Sequence, residues 1–350
     1  MQTDILVIGQ GICGTFLSYY LDKAGVDYLV IDDSREDAPS RVAAGIINPV
    51  TGRRVVTVWK ADEIIPYSWE AYGEIGALLG ITAISQKNIL DFFPNPFMRE
   101  SFLKKKAEDN PYINLVETDY SHLFNYEFGI GSIQPAYTAH LQTLLPAWRN
   151  YLQTHQRLLS ETVDPAQIVI DQDIVRYKDI RAKKIIFCDG AAGNENPYFA
   201  NLPFAPNKGE ALLVTIPGLA QDHIYKKSIT LAPLPEPELF WAGSNYLWEF
   251  EDSRPTSEFY EQTIQQLQHF LKIPFTVVDH LAAIRPATVE RRPFTGFHPV
   301  HTAVGILNGM GTKGCSLAPY FAKQLCDHIT GGVPLSPEAD ISRYTKVLSR

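Results

Sequence analysis

The sequence predicts an α/β protein with a Rossmann-like parallel-sheet part and an α+β part containing a largely antiparallel sheet. Three observations carry this. The N-terminus runs from a short apolar stretch, residues 5–8, directly into Gly9-Gln10-Gly11-Ile12-Cys13-Gly14 and then a helical pattern. A second apolar stretch closing on glycines recurs at residues 184–193. Elsewhere, short runs punctuated by Pro and Gly read as antiparallel strands. At 350 residues, two domains are expected rather than one core.

The elements follow in order. Residues 5–8 suit a strand buried on both faces. Gly9 permits the tight turn out of it, Gly11 lets backbone approach a diphosphate, and Gly14 lets the next helix pack close. Ile12 and Cys13 open that helix, Cys13 as a small buried filler. Phe16/Tyr20 and Leu17/Leu21 keep helical spacing, and Gly25 is the stop. The helix N-terminus offers N–H groups and a positive dipole end. Residues 28–31 form a second strand ending in Asp32, 18 residues after Gly14, with Asp33 next. A carboxylate there can accept both ribose hydroxyls of an adenosine. Strand, turn, helix and acid together predict a Rossmann-like dinucleotide site, leaving NAD and FAD both open.

Residues 59–80 read as a helix, with Trp69, Tyr72 and Ile75 at helical spacing. Phe92, Phe93 and Phe97 fall in an aromatic loop among prolines. Residues 132–135 read as a strand running into a helix start, with Pro135 at an early helical position. Leu141, Leu144, Leu145, Trp148 and Leu152 mark a helix. Strands are expected at 168–170, 174–177 and 184–187, then at 212–216, 228–231 and 239–243, with turns at Pro217-Gly218 and 233–237.

Composition excludes several classes. Lys plus Arg is 31 against 39 Asp plus Glu, a formal charge of −8, so no nucleic-acid or anionic-membrane partner is expected. No leader pattern and no 18-residue apolar run occur, so no membrane span is expected and a cytoplasmic location is. The four cysteines, without CxxC, read as reduced thiols. The histidines show no HxH or HExxH, so no metal is expected, and His298 and His301 are expected at the surface beside a turn. Lys104-Lys105-Lys106 reads as a solvated face.

Further motifs add a resemblance. Ser40-Arg41-Val42-Ala43-Ala44-Gly45-Ile46-Ile47-Asn48-Pro49 is a small-residue loop, and Cys188-Asp189-Gly190 closes the mid-chain strand. Asn207-Lys208-Gly209-Glu210 is a turn into a return strand. Ile284-Arg285-Pro286-Ala287-Thr288 precedes Pro293-Phe294-Thr295-Gly296, and Asn308-Gly309-Met310-Gly311-Thr312-Lys313-Gly314 follows. In this order the segments resemble the D-amino-acid oxidase/glycine oxidase (DAO) family of flavoproteins, along nearly the whole chain.

The resemblance implies a discontinuous FAD-binding domain (1–57, 135–205 and 284–350) and an α+β substrate domain (58–134 and 206–283). It implies non-covalent FAD, because the position where sarcosine oxidases carry a tethering cysteine is about Ala283 here. Flavin contacts would come from Ala43, Ala44, Gly45 and Ile46, and from a backbone group of Val163 at the adenine. Cys188, Asp189 and Gly190 would add to them, Cys188-Asp189 standing where the family has a small residue and Thr. Gly309, Met310, Gly311, Thr312, Lys313 and Gly314 would form a turn at a helix N-terminus aimed at the flavin pyrimidine ring.

Flavin oxidation of a C–N bond needs no triad, but an amino-acid substrate needs a cation for its carboxylate. Arg285 is that cation by resemblance, and a guanidinium fits a carboxylate bidentately. Lys313 and Arg53 are candidate further cations, with Arg54 beside the latter. Tyr246 and Trp248 are candidate walls. The implied activity is FAD-dependent oxidation of a small amine or amino acid, with oxygen or a carrier accepting the electrons. Two alternatives are a flavin enzyme acting on a modified tRNA base and a flavin-binding protein without catalysis.

Overall fold

The computed structural model describes residues 1–171 and 174–349; Gln172, Asp173 and Arg350 fall outside them. Strand Gln2–Ile8 lies parallel between Tyr28–Ile31 and Ile180–Phe187. Leu158–Leu159 extends the sheet beyond Tyr28–Ile31, and Val304–Asn308 pairs parallel with Ile180–Phe187. Antiparallel strands complete this sheet: Ile168–Asp171 with Ile174–Tyr177 at one edge, and Phe294–Phe297 beside Val304–Asn308.

Gln2–Ile8 shows why the sheet forms. Ile5 and Val7 enter one core while Leu6 and Ile8 enter another, so the period of two buries both faces. On the first face pack helices Ile12–Lys23, Ala61–Leu79, Leu141–Thr154 and Gly314–Gly331, through Phe16, Tyr72, Trp148 and Phe321. Gly25 (φ 67°) and Gly80 (φ 67°) follow two of these helices in the left-handed region that suits a helix stop.

The second sheet has the strand order Thr276–Arg285, Asn207–Thr215, Leu239–Gly243, Thr230–Pro233, Ile224–Lys226, Ile89–Phe92, Ile130–Ile133, Ile113–Val116. All neighbours are antiparallel except Ile224–Lys226 with Ile89–Phe92. One face packs on helix Ser257–Phe270 through Leu212, Phe240 and Phe259. The other carries Ala211, Ala232 and Trp241 and turns toward the parallel-sheet domain.

Three local expectations differ. Pro135 does not start a helix: it precedes strand Tyr137–Ala139, which pairs with Ile46–Ile47 and Ile84–Gln86, and the helix begins at Leu141. Phe92 ends a strand and Phe97 sits in helix Pro96–Ala107, whose N-cap Asn95 accepts the Met98 N–H at 3.0 Å. His298 is buried, its Nδ1 accepting the backbone N–H groups of Val300 and His301, and burial pulls its pKa down.

Candidate functional site

A cavity of about 650 Å³ lies between the C-terminal ends of the parallel strands and the antiparallel sheet, room for a ligand of dinucleotide size. Its floor is the N-terminal turn. Gly9 sits at φ 97°, and a Cβ there would lie 2.5 Å from the Cys188 carbonyl oxygen. A Cβ on Gly14 would lie 1.8 Å from the Gly9 carbonyl oxygen, so this glycine serves helix-to-strand packing and does not line the cavity. Gly11, Ile12 and Cys13 do line it. The Ile12 N–H already donates to Ser40 Oγ at 3.0 Å, which ties the small-residue loop to the helix start.

Asp32 and Asp33 line the cavity where the second strand ends. Asp32 is more heavily engaged than a bare ribose acceptor. Its Oδ1 accepts from Ser34 N (2.8 Å) and Arg149 Nη1 (2.6 Å), and its Oδ2 from Gln10 N (2.8 Å). Three of about four acceptor directions are thus filled, leaving room for one hydroxyl rather than two. Arg149 also donates to the Asp32 carbonyl and to Ser160 Oγ. Val163 lines the same end of the cavity, where Thr162 Oγ1 donates to Asp33 Oδ2.

Along the middle, Ala43, Ala44, Gly45 and Ile46 form one wall, and Cys188, Asp189 and Gly190 another. Gly45 has φ 77°, and a Cβ there would collide with the Ala139 carbonyl at 1.9 Å. Asp189 accepts from Asn196 Nδ2 and Asn308 Nδ2, each at 2.9 Å, with no cation bonded to it among the described residues. Burial pushes its carboxyl up to about 6. The Cys13 thiol is pushed up to about 12, first by burial and then by the Asp189 charge, so it is not a thiolate nucleophile.

At the far end, Met310, Gly311, Thr312, Lys313 and Gly314 line the cavity at the start of helix Gly314–Gly331. Gly309 stands behind them, φ 76°, packed toward Thr288 and Phe294, and does not line it. The Lys313 ammonium has no hydrogen-bond or acidic partner among the described residues, and burial with the nearby Arg292 and Arg291 lowers its pKa. Arg285 donates from Nη1 to Asn207 Oδ1 (2.9 Å) and the Asn245 carbonyl (3.1 Å), and from Nη2 to Ser244 Oγ (2.9 Å). Among the described residues its Nε–H and one Nη2–H have no partner, and no carboxylate pairs with it. Burial disfavours its charge, so an incoming anion would be strongly welcomed. The Tyr246 ring lies 4.8 Å from its guanidinium carbon.

Arg53 is a correction: both it and Arg54 are exposed in a turn and neither lines the cavity, which Thr51 reaches instead. Trp248 is likewise outside the lining, 62% exposed. The sequence reading missed other lining residues. Gln10, inside the glycine motif, and Ser40, at the head of the small-residue loop, stood within segments already singled out. Trp241, whose indole N–H donates to the Val42 carbonyl at 2.9 Å, and Lys226, paired with buried Asp91 at 2.6 Å, had no local signal. They reach the cavity only because the antiparallel sheet folds over it. No group of three or more potential metal ligands occurs among the described residues.

Comparison with known proteins gives a family and a fold. The family model DAO, described as FAD dependent oxidoreductase, matches residues 4–328. Glycine oxidase from Bacillus cereus ATCC 14579 superposes with a TM-score of 0.80 at 16% identity, covering 99% of each chain. Iminodiacetate oxidase from Chelativorans sp. BNC1 gives 0.78 at 18% identity, over 96% of this chain and 98% of that one. L-proline dehydrogenase from P. horikoshii gives 0.76 at 16% identity, over 99% and 98%.

Proposed function

This chain belongs to the DAO family of FAD-dependent oxidoreductases, and on that premise we propose that it oxidises the C–N bond of a small amine or amino acid whose carboxylate Arg285 holds. The observation that carries the reading is Arg285 itself: a half-buried guanidinium on the cavity wall, fixed by three neutral acceptors and lacking any acidic partner among the described residues. A buried unpaired cation is costly unless a ligand supplies the counter-charge. The solved structures sharing the fold are named for oxidation of glycine, iminodiacetate and L-proline, which supports the same chemistry here.

The cavity fits FAD on its own features. Gly9 and Gly45 line the cavity with bare backbone, at positive φ and packed too closely on the Cys188 and Ala139 carbonyls to carry side chains; Asp32 keeps an acceptor direction open, and an 18-residue helix starts at Gly314 beside Lys313. Asp32, Val163 and the Gly9–Gly14 turn would hold the adenosine and diphosphate; residues 43–46 and 310–314 would flank the ring. Non-covalent attachment follows from Ala283 at the tethering position. When bound, FAD supplies the two-electron acceptor for hydride from the substrate carbon. The protein's own part is to orient and exclude: Arg285 and Tyr246 fix the carboxylate end, Lys313 adds positive charge on the cofactor side, and Trp241 closes the wall. The imine product then hydrolyses in water. Oxygen or a carrier completes the cycle, and the four free buried cysteines fit work in a reducing cytoplasm.

The domain division follows the same logic. Residues 1–57, 135–205 and 284–350 serve the cofactor; 58–134 and 206–283 contribute the sheet that covers it. Helix Ala61–Leu79, although within the second set, packs in the core of the first. The test is anaerobic mixing of the yellow protein with a panel of amino acids and N-alkyl amino acids. At least one should bleach the flavin's long-wavelength band. An unbleached flavin across the panel would defeat the substrate assignment and favour binding without turnover.

A further inference from the structure

We propose that Glu210 is a positioning residue for the Arg285 site. Its buried carboxylate staples the segment from Ser244 to Thr256, so that Arg285 is held from behind yet left without an acidic partner. This rests on the reading of Arg285 as the carboxylate clamp.

Arg285 ends strand Thr276–Arg285, opposite Asn207, and its guanidinium lies across Gly209. A Cβ on Gly209 would sit 1.7 Å from Nη2, so this crossing needs a glycine. Two of the three acceptors that aim Arg285, the Ser244 hydroxyl and the Asn245 carbonyl, belong to a segment outside any strand. Something else must fix that segment, because an acceptor that wanders by an ångström no longer orients a guanidinium.

Glu210, one residue beyond Gly209, does so. Its backbone N–H donates to Asn245 Oδ1 at 2.8 Å, and Asn245 Nδ2 donates back to Oε1 at 3.3 Å. Oε2 accepts the Thr256 N–H at 2.6 Å, and Oε1 the Thr256 hydroxyl at 2.9 Å. His280 Nε2 lies 3.1 Å from Oε2. One carboxylate thus ties both ends of the segment, at Asn245 and Thr256. Between them Lys208 and Leu247 exchange backbone hydrogen bonds at 2.9 Å.

Glu210 is 0% exposed. A buried carboxylate that lacked donors would draw a neighbouring cation, and Arg285 lies on the adjacent strand, three register positions along from the residue opposite Glu210. Four donors already fill its oxygens, and no ion pair joins it to Arg285 among the described residues. Its charge is spent on the loop, which keeps the guanidinium free for a ligand. Glu210 touches no substrate in this account; it acts through Asn245 and Ser244.

The experiment uses the FAD-loaded protein and benzoate, a carboxylate that cannot be oxidised there, read by its perturbation of the flavin spectrum. Thr256→Val and Glu210→Gln should weaken benzoate by about 10-fold or more, the loss of a charge-assisted hydrogen bond, with FAD content unchanged. In an Arg285→Met background the same changes should add nothing further, because the group they position is gone. Unchanged benzoate affinity in Thr256→Val and Glu210→Gln, or the same loss with and without Arg285, would overturn the proposal and leave Glu210 a stability residue only. If Glu210→Gln fails to fold, Thr256→Val and Asn245→Ala answer the same question. Wild-type protein blind to benzoate, glycine and larger carboxylates would instead defeat the Arg285 clamp itself.

Discussion

Replacing Asp32 by Ala should cost the protein stability before any cofactor is added, as well as weakening FAD. The carboxylate accepts from two backbone amides at 2.8 Å and from Arg149 at 2.6 Å, and both charged side chains are only 14% exposed. Truncation leaves Arg149 short of its counter-charge. A buried pair broken on one side costs about 3–5 kcal/mol. Arg149 keeps Ser160 Oγ and a backbone carbonyl, so about 2–3 kcal/mol is expected here. That should lower the melting temperature of the cofactor-free protein by about 3–4 °C. Thermal unfolding with and without FAD, on Asp32→Ala, Arg149→Met and the double variant, reads it directly. The double variant should lose less than the two singles combined, since neither charge is then stranded. A cofactor-free Asp32→Ala protein as stable as wild type would refute the reasoning and return Asp32 to a pure ribose acceptor.

Asp189 should give a pH signature. Its carboxyl moves from 3.8 to about 6 on folding, so its contribution is fully present below 3.8 and lost as pH rises through about 6. At pH 8 the difference is at most about 3 kcal/mol, and Asp189→Asn should flatten the stability profile over that window; a profile unchanged by the substitution would contradict it. For the Asp91–Lys226 pair, Lys226→Met should destabilise more than Asp91→Ala, because Asp91 is 6% exposed whereas Lys226 can turn to the cavity. Denaturant midpoints in the reverse order would count against this. Gly14→Ala should yield colourless or insoluble protein, since its Cβ would meet the Gly9 carbonyl at 1.8 Å. Gly25→Ala, in open space at φ 67°, should cost only about 1 kcal/mol and keep the flavin.

What could be read from the sequence was local. The run from residue 5 to Asp32 fixes a strand, a turn, a helix and a strand by contiguous spacing, and all four lie where expected. Gly14 packs the helix onto the strand as its place in the motif implies, whereas Gly309 shows the limit of motif reading: it belongs to its turn, yet packs rather than lines. Arg149 could not be found, because its partner Asp32 is 117 residues away in the chain and an arginine at a helix position has no special signature. Arg53 failed for the opposite reason. It follows the flavin loop closely in sequence, but hairpin Val50–Thr51/Val56–Thr57 carries it to the surface. His298 was expected outside because polar residues near a turn usually are; two backbone amides satisfy its Nδ1 and allow burial. Lys226 and Trp241 meet the cavity through sheet register, and register across separated strands is not written in any one segment.

The most direct measurement is the rate of anaerobic flavin reduction by the best substrate in wild type, Arg285→Lys and Arg285→Met, alongside FAD content and melting temperature. Lys keeps the charge without the planar fork, and Met loses both. The account predicts the order wild type, then Lys, then Met, with a loss of about 2–5 kcal/mol in transition-state stabilisation for Met and an unchanged flavin spectrum in all three. An Arg285→Met protein that keeps its FAD and reduces it at the wild-type rate would contradict the account.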